Sequence, residues 1–207
     1  MKRLVVFLLF VVIFQSQGVA QESEAKIGIS YSAFGKAVVL NSQDIIGGPN
    51  LDGKRSYAFG LSYEKPIFKW LDIETGLDLS NHKIEVTSLL NPDFSSEHVI
   101  TKTMTTTILS IPVSLRVNFL KHLFVNGGAM IDMDLSGNSA ISGQNGLGLM
   151  AGFGAKYNFN SGLSIFVNPY AKFHALLMIP AEKGYKSRIN ETGIRIGFTY
   201  ELSRLKR

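Results

Sequence analysis

Asp78, Asp132, Asp134 and His174 are the residues of this chain best suited to chemistry. Carboxylates beside an imidazole can hold a water molecule and take its proton, the arrangement of general acid–base hydrolysis. Their spacing forms no local motif, so any convergence must come from the fold. A second set, His82, Glu85, Asp93, Glu97 and His98, lies in one polar stretch. It offers nitrogen and oxygen ligands but lacks the helical spacing of a His-Glu-x-x-His zinc site. It reads as a solvated loop, with no metal expected. Gly146, Gly148, Gly152 and Gly154 superficially resemble a nucleotide-binding turn. They alternate with apolar residues and no helix follows, so they read as strand positions, and no cofactor is expected. The chain has no cysteine, which excludes disulfides, thiolate chemistry and lipoprotein acylation.

The elements that must position these residues are strands. Tyr57, Phe59, Leu61 and Tyr63 alternate with Ala58, Gly60, Ser62 and Glu64. The same period of two runs through 71–80, 109–118, 147–158 and 194–202, and more weakly through 25–34, 123–135 and 163–174. Side chains alternate faces along a strand, so each segment is apolar on one side only. About eight such strands of roughly ten residues suit an all-β, antiparallel, transmembrane up-and-down β-barrel. Short turns are expected at 66–69, 120–122 and 160–162, and long loops at 35–54, 81–101, 136–145 and 175–190. That alternation matches short periplasmic turns and long extracellular loops. Pro112 lacks the N–H a strand interior needs, and a bulge is expected there.

The polar face separates a membrane barrel from a soluble one. It is mostly Gly, Ser, Asn and Thr with scattered charges, which suits a narrow lumen rather than a wall facing water. The scattered charges are Glu64, Asp72, Glu74, Asp78, Arg116, Asp132, Asp134, Lys156, Lys172, Arg195 and Glu201. A confined charge needs a partner, so pairing across the lumen is expected, with Lys26 and Glu201 pairing where first and last strands meet. Tyr63, Phe68, Trp70, Phe119, Tyr157, Phe159 and Tyr200 cluster at the short turns, where a membrane-interface ring belongs.

The chain begins with Lys2 and Arg3, then an apolar run from Leu4 to Phe14, then Gly18-Val19-Ala20. The run is too short for a membrane helix and has the form of a signal peptide, with cleavage expected after Ala20. This gives a signal at 1–20 and a barrel domain at 21–207. The formal charge of +5 falls as Lys2 and Arg3 leave, and no Lys/Arg cluster suggests nucleic acid.

Leu109-Ser110-Ile111-Pro112-Val113-Ser114-Leu115-Arg116 resembles the mid-barrel strand of the PorT-like outer-membrane β-barrels of Bacteroidota. Trp70-Leu71-Asp72-Ile73-Glu74-Thr75-Gly76-Leu77 is similar to their third strand. The resemblance implies fold and an outer-membrane location; a role in protein secretion belongs to some members only. The expected function is non-enzymatic: a monomeric barrel in outer-membrane lipid, whose long loops bind a surface or periplasmic protein or a ligand. The alternative is a small surface hydrolase using the acids and histidine at the barrel mouth.

Overall fold

The computed structural model describes residues 24–41, 50–90, 98–136, 143–179 and 187–206. The expected signal peptide at 1–20 lies outside the described residues. Eight strands follow one another: β1 Lys26–Asn41, β2 Asn50–Phe68, β3 Leu71–Leu90, β4 His98–Phe119, β5 Leu123–Asp134, β6 Gly146–Asn158, β7 Leu163–Met178 and β8 Ser187–Glu201. A short 3-10 helix, Leu202–Lys206, ends the described chain. Every strand pairs antiparallel with its successor, and β8 returns to β1 to close the barrel. The closing seam runs from Lys26 opposite Glu201 to Asn41 opposite Ser187.

The wall follows the period of two. Phe59, Leu61, Val113, Leu115, Phe153 and Phe198 are exposed, while Gly60, Ser114, Arg116, Gly154 and Gly197 between them are buried. A continuous outward belt of this kind costs free energy in water, and each Leu- or Phe-sized side chain gains about 1.5–3 kcal/mol on leaving it. The wall is therefore that of a transmembrane barrel. Among the described residues no helix is long and apolar enough to cross a membrane.

Two expectations need correction. The segments 35–54 and 81–101 are not mainly loops. β3 has 20 residues and β4 has 22, and the two pair as far as Leu90 opposite His98. The run Thr101 to Thr107 explains the extension: it is rich in β-branched residues, which favour strands, but it is polar on both faces and so hides from an apolar-alternation test. Nor does Pro112 sit at a bulge. One register continues through it, with Thr75 opposite Val113 and Asp78 opposite Ser110. On its other side Pro112 faces Met130 without a shift. The β3–β4 ladder simply leaves the intervening rungs open, and Thr75 donates its hydroxyl to the Pro112 carbonyl at 2.9 Å.

Candidate functional site

Among the described residues, the polar face of the barrel forms an interior packed in layers. The layer nearer the short turns centres on Arg116 of β4. Its guanidinium Nη1 lies 2.5 Å from Glu64 Oε1 of β2, and Nη2 lies 2.7 Å from Glu74 Oε2 of β3. Arg195 of β8 reaches the other Glu74 oxygen at 2.9 Å and also donates to Asn168 Oδ1 at 3.3 Å. Asp72 accepts from Asn118 Nδ2 at 2.7 Å and faces Lys156 Nζ at 3.7 Å. Three carboxylates thus meet three cations, and each charge is answered.

Phe124 and Phe166 complete this layer. The Arg116 guanidinium lies 4.6 Å from the Phe124 ring centre, and that of Arg195 lies 5.3 Å from the Phe166 ring centre. Both contacts place a cation on the negative face of an aromatic ring. Glycines make the room. Phe124 faces Gly154 and Phe166 faces Gly197 across their ladders, and a Cβ on either glycine would come within 2.5 Å of the ring.

The layer towards the long loops differs. Lys172 Nζ of β7 lies 2.8 Å from Asp78 Oδ2 of β3. Tyr170 donates its hydroxyl to Glu191 Oε1. His174 brings Nε2 to 3.3 Å from Glu191 Oε2 and Nδ1 to 3.2 Å from Asp132 Oδ1. His82 of β3 brings its Nε2 to 3.6 Å from the same Glu191 oxygen and 3.1 Å from Ser80 Oγ. Asp132 is fixed independently: it accepts from Ser110 Oγ at 2.6 Å and from the Ala175 backbone N–H at 3.0 Å. That N–H is aimed by a kink, because Ala175 has φ +45°, a left-handed conformation rare for a side chain with a Cβ. The kink lies where β7 runs out of register with β6. Over this layer sits an apolar cap of Ala37, Ile84, Ile108 and Ile189, all fully buried.

Asp132 and His174 come together, but inside the barrel beneath the cap rather than at its mouth. Asp78 is joined to Lys172 instead. Asp134 stands apart at the rim, accepting from the backbone N–H groups of Ser136 at 2.8 Å and Gln144 at 3.1 Å. His82 is a correction: it is fully buried in the lumen, not on a solvated loop. β3 continues past the expected loop boundary, so His82 stays in phase with the inward-facing Asp78 and Ser80. Glu85 pairs with Lys54 at 2.7 Å on the extended hairpins, Asp93 and Glu97 lie outside the described residues, and of His98 only the backbone is described. Glu191 does not stand out in the sequence, because its neighbours Asn190 and Thr192 make that stretch polar throughout.

Lys26 Nζ lies 3.5 Å from Glu201 Oε1 at the seam. Tyr63, Phe68, Trp70, Tyr157 and Phe159 are exposed near the short turns, while Phe119 and Tyr200 are half-buried. Phe68 stacks on Trp70 with ring centres 5.9 Å apart, and Tyr157 packs edge-on against Phe159 at 4.9 Å.

No protein-family model and no curated protein sequence matches the chain. Solved structures do. The outer membrane protein OprG from Pseudomonas aeruginosa aligns with a TM-score of 0.52 at 13% identity, covering 87% of this chain and 96% of that one. The attachment invasion locus protein Ail of Yersinia pestis, in complex with the heparin analogue sucrose octasulfate, gives a TM-score of 0.44 at 11% identity, covering 86% of this chain and 99% of that one. What the likeness to OprG establishes is architecture: this chain has the fold of an outer-membrane β-barrel.

Proposed function

We propose that the protein is a non-conducting outer-membrane barrel of structural or surface-interaction role, working through its loop-side rim. The observation that carries this reading is the filled lumen. Arg116, Arg195 and Lys172 reach carboxylates on strands that are not always their neighbours, and rings occupy the space between them. An eight-stranded barrel has an interior only wide enough for side chains, so a core packed in this way leaves no aqueous route. The outward apolar belt and the fold shared with OprG support residence in the outer membrane. The segments resembling PorT-like barrels, 70–77 and 109–116, support kinship with that family.

The hairpins β1–β2 and β3–β4 extend beyond the belt and present the surface a protein partner or ligand would meet. Fractionation should place the protein with outer membranes, and protease added to intact cells should cut within 81–101. Purified protein in a planar bilayer should give no defined conductance steps. Steady ohmic channels, or a loop segment cut only from the periplasmic side, would overturn the reading.

One observation favours a hydrolase: Asp132 and His174 lie 3.2 Å apart. Both are fully buried beneath apolar side chains. If purified barrel hydrolyses an ester, amide or phosphoester, and joint substitution of Asp132, Asp134 and His174 abolishes that activity, the enzymatic reading replaces the first.

A further inference from the structure

We propose that the upper lumen layer is a binding site for a divalent transition-metal cation, zinc by ligand type, held by His82, His174 and Glu191 and stapling β3 to β7 and β8. All three side chains are 0% exposed. A donor atom from each lies within 4.8 Å of the others. Glu191 Oε2 stands 3.3 Å from His174 Nε2 and 3.6 Å from His82 Nε2. A tetrahedral zinc site with bonds of ~2.0–2.1 Å has ligand–ligand edges of about 3.4 Å, so the two spacings from Glu191 fit a coordination polyhedron.

Charge gives an independent reason. In the lower layer carboxylates and cations balance. Among the described residues of the upper layer, Asp78, Asp132 and Glu191 face one ammonium, Lys172, which is bound to Asp78. Among the described residues, Asp132 and Glu191 have no Lys or Arg within ion-pair distance; only imidazoles reach them. Two buried carboxylates without a permanent cation are costly, and a dication would neutralise both.

The surrounding contacts have the form of a metal site's outer shell. His174 brings Nδ1 to 3.2 Å from Asp132 Oδ1, an ion-pair contact without hydrogen-bond geometry, while Nε2 faces the site; a bound cation would draw this pair into the carboxylate–histidine–metal arrangement. Asp132 is itself anchored by Ser110 and the strained Ala175 backbone, so the orienting group does not move. The Tyr170 hydroxyl occupies Glu191 Oε1 and leaves Oε2 for the cation. His82 Nε2, the atom that faces Glu191, also lies 3.1 Å from Ser80 Oγ, while Nδ1 has no hydrogen-bond partner. Calcium and magnesium fit poorly, since they prefer six or more oxygen ligands or retained water. Two imidazoles and one carboxylate suit zinc and cobalt, with a fourth position left for water.

Because the site is sealed beneath the apolar cap, metal should be supplied during folding. The full barrel, without a histidine tag, is refolded in detergent micelles with EDTA, with ZnCl2 or with CoCl2, then gel-filtered and assayed for bound metal and visible absorption. One equivalent retained per folded chain is expected, with the intense visible bands of tetrahedral cobalt, loss of those bands when zinc competes during refolding, and a raised Tm over the EDTA sample. His82→Asn and Glu191→Gln should abolish retention. Asp132→Asn should weaken it about 10–100-fold, and His122→Ala, at an exposed turn, should leave it unchanged. Should the histidine variant not fold, Glu191→Gln, which keeps the acceptor for Tyr170, decides the matter alone. A folded wild-type barrel that retains no cobalt or zinc, or a folded Glu191→Gln barrel that retains as much as wild type, overturns the proposal. Neither result bears on conductance or loop topology.

Discussion

The two charged layers of the lumen use the same residue types to different ends. Near the short turns, Glu64, Asp72 and Glu74 meet Arg116, Lys156 and Arg195, and guanidinium groups rest on Phe124 and Phe166. Towards the loops, three carboxylates meet one lysine and two imidazoles, with a kinked strand to aim them. Arginine cannot lose its proton and spreads its charge over a planar fork, so the lower layer is permanently paired. Imidazole is neutral or charged according to its surroundings and can equally bind a metal, so the upper layer is conditional. A barrel that needed only filling could have used the arginine solution twice.

The contrast makes ordered predictions, each read as equilibrium unfolding in urea from micelles or vesicles. Glu74→Ala strikes the lower layer hardest, leaving both Arg116 and Arg195 short of a buried partner, and should cost about 3–5 kcal/mol. Glu191→Gln in metal-free protein should cost far less, about 1 kcal/mol or less, or even stabilise, because it removes surplus negative charge while keeping the acceptor for Tyr170. Equal losses from the two substitutions would erase the distinction between the layers. At the seam, Lys26→Glu or Glu201→Lys alone should cost about 1 kcal/mol, and combining them should restore part of it, since the pair keeps only partial contact with water. No rescue would mean that the contact contributes nothing. Ala175→Gly should change stability by under about 1 kcal/mol, relieving the positive φ at some cost in unfolded-chain entropy. A large loss there would show that the Ala175 methyl, not the kink, orders the upper layer.

Much of the fold was legible because one wall faces lipid and the other does not, and a one-residue slip in such a strand would invert both faces. Legibility failed where that contrast ended. The extended end of β4 is polar on both sides, and the end of β3 mixes Asn81, His82 and Lys83 with Ile84 and Val86, so His82 reads as part of a loop. Inside the lumen the sequence named the charged groups but not the rings or methionines among them, because an aromatic at an inward position reads as an exception. The inward glycines carried that signal. Gly154, Gly197 and Gly148 each lie opposite a bulky inward residue, Phe124, Phe166 and Met130, so a glycine on the polar face marks where its neighbour fills the space. Which carboxylate meets which cation depended on the stagger of the strands around the barrel, and no local spacing encodes that.

The seam between β1 and β8 also sets the order of events during biogenesis. β1 spans Lys26–Asn41 and must wait for Ser187–Glu201, so for most of the chain's emergence one edge of the sheet stays open to wrong partners. The lower layer waits as well: Glu74 meets Arg116 across 42 residues, but Arg195 only across 121. Zippering can therefore start in the β3–β4 hairpin, and the last strand to arrive brings both the final row of backbone bonds and the second arginine. Contacts so distant in sequence make closure slow and place the commitment to the finished barrel at its very end.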